Sequence, residues 1–471
     1  MRTNNYVISI IVLFTQFSIS QISLLRHTID GNFPGAGSVY AVDVNGDSLI
    51  DVICSGLAAN SIAWWKNDGN HPISWEKQTI VSNFQTASSV FAIDMDNDGD
   101  NDVLGSAWTS DEIAWWRNDG GNPVQWTKQT IGSNFDGAES VFATDIDDDG
   151  DVDVLGAAMI GNQIALWYND GENPITWTKK VIDGNFGWAR SVYATDVNGD
   201  SLIDILGAAY TANTISIWYN NGDSTWTAQI VDNSFAGAHR VYASDLDNDN
   251  NIDVLGAAYL GDEIAWWRNN GGNPIQWEKH IIDENFDGAI SIYTCDVDED
   301  GDIDVLGAAE FSGNVALWLN NDGSALNWTK QSITNNFAGA WGIYAEDIDN
   351  DDDPDIISGA SVANDVTWWE NDGVAKVENS FVLPIESQLM QNYPNPFNPS
   401  TTIRYSVSNG NFVTLKIYDL LGNKIQSLVN EEKQAGNYEY QYDATGLTSG
   451  MYFYQLNVGS FSLTKKMFLL K

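Results

Sequence analysis

Seven short segments of this 471-residue chain place oxygen-bearing side chains on alternate residues. Counted from the first aspartate, positions 1, 3, 5 and 9 hold Asp43, Asn45, Asp47 and Asp51 in the first segment, and Asp94, Asp96, Asp98 and Asp102 in the second. The third holds Asp145, Asp147, Asp149 and Asp153, and the fourth Asp196, Asn198, Asp200 and Asp204. Asp245, Asp247, Asp249 and Asp253 follow, then Asp296, Asp298, Asp300 and Asp304, then Asp347, Asp349, Asp351 and Asp355. Calcium takes several hard oxygen ligands from a flexible loop, with a backbone carbonyl completing the shell. Magnesium tolerates such loose geometry poorly. Glycine at position 4 or 6 of several copies allows a tight bend. Without a cation, four clustered carboxylates repel one another strongly. The expectation is up to seven calcium ions in a structural role, because a single reaction would need one distinctive site. The metal-free alternative is an Asx-turn connector. An EF-hand is excluded: its position 12 needs glutamate, and Cys54 and Gly105 stand there in the first two copies.

The segments begin 51, 51, 51, 49, 51 and 51 residues apart. A fixed period of this size marks a repeat architecture. Each unit reads as four strands. A short β-rich run such as Ser140-Val141-Phe142-Ala143-Thr144 precedes the acidic loop, and Val154-Leu155-Gly156-Ala157-Ala158 follows it. A third strand resembles Ile113-Ala114-Trp115-Trp116 and leads into an Asn-Asp-Gly or Asn-Asn-Gly turn, a strong hairpin signal. The fourth resembles Gln125-Trp126-Thr127-Lys128-Gln129-Thr130-Ile131. Nothing has helical periodicity. Four antiparallel strands at this period are propeller blades. The seventh unit stops after Trp368-Trp369-Glu370-Asn371-Asp372-Gly373, without a fourth strand. Leu25-Arg26-His27-Thr28-Ile29-Asp30-Gly31-Asn32-Phe33 matches the missing piece, so the N-terminal strand is expected to close the ring and remove its sheet edges. The fold class is all-β, a seven-bladed β-propeller followed by a small Ig-like β-sandwich.

The formal charge is −44, and it is unevenly placed. Residues 374–471 carry 8 Lys/Arg against 7 Asp/Glu, whereas residues 1–373 carry 13 against 58. Such a surface repels nucleic acid and calls for cationic counter-charge. Cys54 and Cys295 occupy different repeat positions and read as separate thiols. Arg2, the apolar run from Tyr6 to Phe17 and Ser18-Ile19-Ser20 read as a signal peptide over 1–20, with an uncleaved anchor as the alternative. The propeller is expected over 21–373, a linker over 374–384 and a second domain over 385–471. No transmembrane segment is expected after signal removal.

The acidic motif followed by an apolar strand with Gly-Ala resembles the FG-GAP/VCBS repeat family, which includes the integrin α-chain propeller. The resemblance covers residues 25–373 and implies calcium at the matching Asp and Asn positions. Family members serve in adhesion and carbohydrate binding, and sometimes as modules attached to enzymes, so the likeness implies fold and metal more firmly than function. The tail opens with Asn392-Tyr393-Pro394-Asn395-Pro396-Phe397-Asn398-Pro399. It continues through Thr414-Leu415-Lys416-Ile417-Tyr418-Asp419, Leu421-Gly422 and Gly450-Met451-Tyr452-Phe453-Tyr454, and ends on Lys465-Lys466-Met467-Phe468-Leu469-Leu470-Lys471. It is similar to the C-terminal sorting domain of the type IX secretion system of Bacteroidetes. That implies a partner in the secretion machinery, and a protein secreted or displayed on the outer cell surface. Alternating apolar and polar residues between glycine turns fit a β-sandwich, and an ordinary carbohydrate-binding or Ig-like module is the alternative.

The paired tryptophans Trp64-Trp65, Trp115-Trp116, Trp266-Trp267 and Trp368-Trp369 read as core, because both faces of a blade pack on neighbours. Variation between blades points instead to the face opposite the acidic loops. There one column holds Trp108, Met159, Tyr210, Tyr259 and Glu310, and nearby connections carry Trp188, Arg190, His239, Arg240 and Trp341. Aromatics with arginine suit sugar or peptide recognition; a partly buried hydrophobic cap is the alternative. Of the four histidines (His27, His71, His239 and His280), none sits in a recognisable nucleophile–base motif. The expected function is adhesion or recognition by a monomer that binds an extracellular glycan or protein. Two alternatives stand beside it: a polysaccharide lyase or hydrolase, with His239 and Arg240 as its only hint, and a structural matrix protein.

Overall fold

A computed structural model describes residues 22–374, 387–392, 394–408, 410–420, 422–459 and 461–470. The expected signal peptide and the linker after Val374 lie outside the described residues, as do Tyr393, Leu421 and Lys471 of the tail motifs. The chain divides into two compact units, 1–375 and 376–471. Among the described residues there is no helix, hence none long and apolar enough to cross a membrane.

The first unit consists of seven four-stranded antiparallel sheets. In blade one the strands run Ala36–Val42, Asp51–Gly56, Ser61–Asn67 and Trp75–Val81, from the axis outward. Blade seven takes three strands from its own segment, Ala340–Glu346, Asp355–Ala360 and Asp365–Val374. Its outermost strand is Ile22–Asp30, with Leu25 opposite Glu370, Arg26 opposite Trp369 and His27 opposite Trp368. The expected closure by the N-terminal strand is therefore present.

A belt of aromatic rings marks the axis. Tyr40, Phe91, Phe142, Tyr193, Tyr242, Tyr293 and Tyr344 succeed one another at 4.5–5.4 Å between centroids, and Tyr344 returns to Tyr40 at 4.7 Å. Each blade also repeats a buried edge-to-face pair, such as Phe135 with Trp167 at 4.9 Å, a favoured aromatic geometry. Gly156 makes room for that pair, since a Cβ there would lie 2.8 Å from Phe135 and 2.4 Å from Ile113. A fourth-strand lysine covers the pair in five blades, as Lys179 does over Phe135, and in blade seven Arg26 takes that place over Phe337. The paired tryptophans are core: Trp64 and Trp266 are wholly buried and their partners nearly so. Cys54 and Cys295 are free thiols.

The second unit stacks a three-stranded sheet, Gln388–Leu389, Ser400–Val407 and Gly436–Asp443, and a four-stranded one, Lys424–Lys433, Asn411–Tyr418, Gly450–Val458 and Phe461–Leu469, around one core. Its opening motif is tied to its last strands. The Tyr454 hydroxyl donates to the Met390 carbonyl and accepts from the Asn392 amide, both at 2.8 Å. Phe397 exchanges backbone bonds of 2.9 Å with Phe468 and Leu470.

Candidate functional site

Each acidic loop joins the first and second strands of a blade. Its residues 4 and 6 take positive φ in all seven copies, as Asn97 (59°) and Gly99 (96°) do in blade two. The residues between these kinks keep side chains 1, 3 and 5 close together. Position 1 organises the backbone: Asp94 accepts the Asp98 amide at 3.1 Å and the Gly99 amide at 2.9 Å. Position 5 accepts the amide two residues on, as Asp98 does from Asp100 at 3.0 Å.

Position 3 is different. Asp96, Asp298 and Asp349 each bury a carboxylate oxygen with no hydrogen-bond partner, and Asp247 buries both. A buried carboxylate oxygen without a partner is costly unless a cation meets it. Five loops bring three carboxylates within 4.8 Å: Asp94, Asp96 and Asp102; Asp145, Asp147 and Asp153; Asp245, Asp247 and Asp249; Asp296, Asp298 and Asp300; Asp347, Asp349 and Asp351. Burial first, and neighbouring carboxylates second, push Asp96, Asp147, Asp247 and Asp298 above the usual carboxylate range, and Asp349 to about 6. These clusters can hold metal ions. Their all-oxygen chemistry and unpaired buried oxygens fit a hard divalent cation.

The seven loops are not alike. In blade one Asn45 donates to Asp51 at 2.8 Å. There the Lys66 ammonium lies 2.8 Å from Asp47 and 3.3 Å from Asn45, where a cation would sit. In blade five Arg268 reaches Asp247 at 2.7 Å and Asp249 at 3.3 Å; the contact with Asp247 is an ion pair not aligned as a hydrogen bond. The same strand-three position is Arg117 in blade two, where it pairs with Asp119. In blades three, four and six it is Tyr168, Tyr219 and Leu319. In blade seven it is Glu370, engaged by His27 at 2.5 Å. The blade-four loop keeps Asp196, Asn198 and Asp200 together through the Asp200 amide, which Asp196 and Asn198 both accept.

Position 9 is a structural knot as well as a possible ligand. Asp102 is fully buried and accepts the amides of Met95 at 3.1 Å and Asn118 at 2.7 Å. Asn118 in turn donates to the carbonyl of Val44 in the preceding blade at 2.8 Å. Asp51, Asp153, Asp204, Asp253, Asp304 and Asp355 make the same pair of amide bonds. Burial lifts Asp102 and Asp355 to about 8 and the other five to about 7. The inter-blade role was not read from the motif. Its sequence signal is the asparagine 16 residues after each position 9.

On the opposite face, Trp188 stacks on Tyr210 at 5.8 Å, Tyr210 meets Tyr259 at 5.9 Å, and Tyr259 meets Phe311 at 4.9 Å. Trp188 is 39% exposed and Phe311 62% exposed, while Tyr210 and Tyr259 are half-buried. Arg190 lies over Tyr210 and pairs with Glu139 at 2.8 Å. Tyr259 donates to Glu310 at 2.6 Å. His239 is buried against Tyr259 and Trp341, its Nδ1 bonded to the Ile290 carbonyl at 2.9 Å, and burial holds its pKa well below the usual value. Arg240 lines the axial channel. Trp108 stands apart from this cluster, beside Gly137 in the connection between blades two and three. Phe311 was missed by sequence. It follows the Glu310 column, where Ile160, Leu260 and Val362 are also exposed.

The model of the FG-GAP-like repeat matches residues 43–105, 145–207, 196–256, 245–307 and 296–358, together more than half of the chain. The secretion system C-terminal sorting domain matches residues 391–470. No curated protein sequence matches the chain. Among solved structures, BBS1N in complex with ARL6DN is similar at a TM-score of 0.51 and 10% identity, over 76% of this chain and 98% of that one. PorZ of Porphyromonas gingivalis, a surface component of its type-IX secretion system, aligns at a TM-score of 0.42 and 13% identity, over 89% of this chain and 58% of that one. A functionally unknown protein from Desulfotomaculum acetoxidans aligns at a TM-score of 0.43 and 13% identity, over 82% of this chain and 98% of that one.

Proposed function

The chain belongs to the FG-GAP-like repeat family, and from that premise we propose that it is a calcium-stabilised recognition protein whose propeller presents its aromatic face to an extracellular glycan. Its sorting domain makes it a type IX-secreted protein of the Bacteroidetes cell surface. The acidic loops then act as clamps on the blades. Asp and Asn at positions 1, 3 and 5 would hold calcium, which supplies the positive charge that the buried oxygens of Asp96, Asp298 and Asp349 lack. Position 9 fixes the loop to strand three and, in every blade but the third, its asparagine reaches the preceding blade. Rigidity of this kind lowers the cost of ordering the loops on the other face when a ligand binds.

The observation that carries the recognition reading is the run Trp188–Tyr210–Tyr259–Phe311 beside Arg190 and Glu310. Flat aromatic faces next to fixed polar groups suit the apolar and hydroxyl faces of sugars. A glycan array probed with the calcium-loaded protein, a chelated control and a Trp188→Ala, Tyr210→Ala, Tyr259→Ala variant tests it. Calcium-dependent binding to a defined glycan class, lost in the variant, is the expected result. Binding that the triple variant retains would remove the aromatic run from the site. No glycan binding at all would favour a protein partner on the same face.

A further inference from the structure

The innermost strands build a ring at the mouth of the axial channel, five residues before each acidic loop. The ring residue is serine in five blades, Gly342 in blade seven and Arg240 in blade five. One guanidinium therefore breaks a ring of small groups. It borders two cavities, one of about 40 Å³ at the mouth and one of about 250 Å³ along the channel inside the aromatic belt.

The Arg240 guanidinium has no hydrogen bond or ion pair among the described residues. The other charged groups nearby are committed. Glu139 is held by Arg190 at 2.8 Å, and His239 is neutral and bonded to the Ile290 carbonyl. Burial pulls the Arg240 pKa down, and no carboxylate offsets the pull. The Arg240 side chain is partly buried and borders both cavities, and a cation held there without a counter-ion favours an anion that reaches it. The hydroxyl of Ser38, which lines both cavities, accepts the Val90 amide at 3.3 Å and keeps its proton free to donate. The mouth thus offers a planar two-point cation, hydroxyl donors and an aromatic wall.

We propose that the axial mouth binds the carboxylate of an acidic sugar, a terminal uronic-acid residue, with Arg240 as its counter-ion. Guanidinium meets a planar carboxylate through two parallel N–H bonds, a match that lysine cannot reproduce. The channel cavity of about 250 Å³ is smaller than the pockets of roughly 300–1,000 Å³ that hold drug-sized ligands, so it takes the end of a chain rather than its interior. The mouth lies on the face away from the acidic loops. This site rests on the glycan-recognition reading and names the chemistry that reading leaves open.

The test uses the full calcium-loaded protein and calorimetric titration. The probes are two oligosaccharides that differ only at the terminus, glucuronic acid or glucose, and an acidic peptide. The variant is Arg240→Ser, which installs the residue of five other blades and so leaves the strand able to fold. Wild type is expected to prefer the acidic sugar by about tenfold or more. Arg240→Ser is expected to lose that preference while keeping its affinity for the neutral sugar and its melting temperature. Equal affinity for the two sugars in wild type, or an unchanged preference in the variant, would overturn the axial acid site and leave glycan recognition standing. Binding of neither sugar would defeat both readings. Arg240-dependent binding of the peptide alone would reassign the site to a protein partner and overturn the sugar class.

Discussion

The Asn67 side-chain amide donates a 3.0 Å hydrogen bond to the carbonyl of Ile348, 281 residues away, across the join between the first and last blades. The same amide also bonds the Ile50 carbonyl at 3.1 Å, and the Asn67 backbone N–H reaches Asp51 at 2.8 Å. One residue thereby couples an acidic loop, the end of strand three and the closing seam. Removing its side chain takes this donor from the Ile348 and Ile50 carbonyls and the acceptor from the Gly69 amide.

Asn67→Ala is expected to destabilise the propeller by about 1–3 kcal/mol, read as a shift of the denaturant midpoint. Asn169 is the internal control. Its side-chain NH2 donates to the Val152 carbonyl, within its own blade, at 3.2 Å, and its Oδ1 accepts the Gly171 amide as that of Asn67 accepts the Gly69 amide; among the described residues it makes no bond to the preceding blade. Asn169→Ala should cost less, and equal losses at the two sites would show that the seam bond adds nothing.

Calcium stoichiometry separates the loops. Lys66 and Arg268 already neutralise the carboxylates of blades one and five, so these two loops should hold calcium weakly or not at all. Native mass spectrometry of the wild type is expected to count five ions or fewer. Lys66→Met and Arg268→Met should each add one. A wild type carrying seven, or variants with an unchanged count, would contradict a role for these side chains as resident cations.

The blade count and the closure were legible because both rest on local, repeated signals: a 51-residue period and a terminal strand that copies an internal one. The burial of the tryptophan pairs followed from strand geometry alone. Lys66 and Arg268 were not legible as occupants of their loops, because their role depends on how the end of strand three lies against a loop some 20 residues upstream. The ligand face was legible only as columns of variable residues. Which of them meet depends on loop shape, and that shape joins Trp188, Tyr210 and Tyr259, recruits Phe311, buries His239 and leaves Trp108 outside.

The position-9 carboxylates set a pH dependence. Their folded-state values, about 7 to 8, lie above the ordinary 3.8 because burial disfavours the charged form. The folded protein then binds protons more tightly than the unfolded chain. Their stabilising contribution is full below about pH 4 and is lost as pH rises through 7 to 8. In excess chelator the melting temperature should fall between pH 5 and pH 8. Calcium, which competes with those protons, should raise it more at pH 8 than at pH 5. A chelated melting curve that is flat across this window would contradict the assignment.

The N-terminal strand carries the largest expected effect. It pairs with Asp365–Val374 along its length. Arg26 holds Asp365 at 2.7 Å, and His27 holds Glu370 at 2.5 Å while stacking on Trp368 at 4.8 Å. The Gln331 side chain clasps both the amide and the carbonyl of Ile22, tying the strand to blade six. Deleting residues 22–30 exposes an unpaired edge on blade seven, a template for aggregation, and uncovers one side of Trp368 and Trp369. The truncated protein is expected to lose more than about 4 kcal/mol of stability, beyond the range of ordinary point substitutions, and to self-associate during sedimentation. A synthetic peptide of residues 22–30 added in trans should restore the monomer and its tryptophan emission. A truncated protein that stays monomeric and melts like the full chain would show that six complete blades hold the ring without this strand.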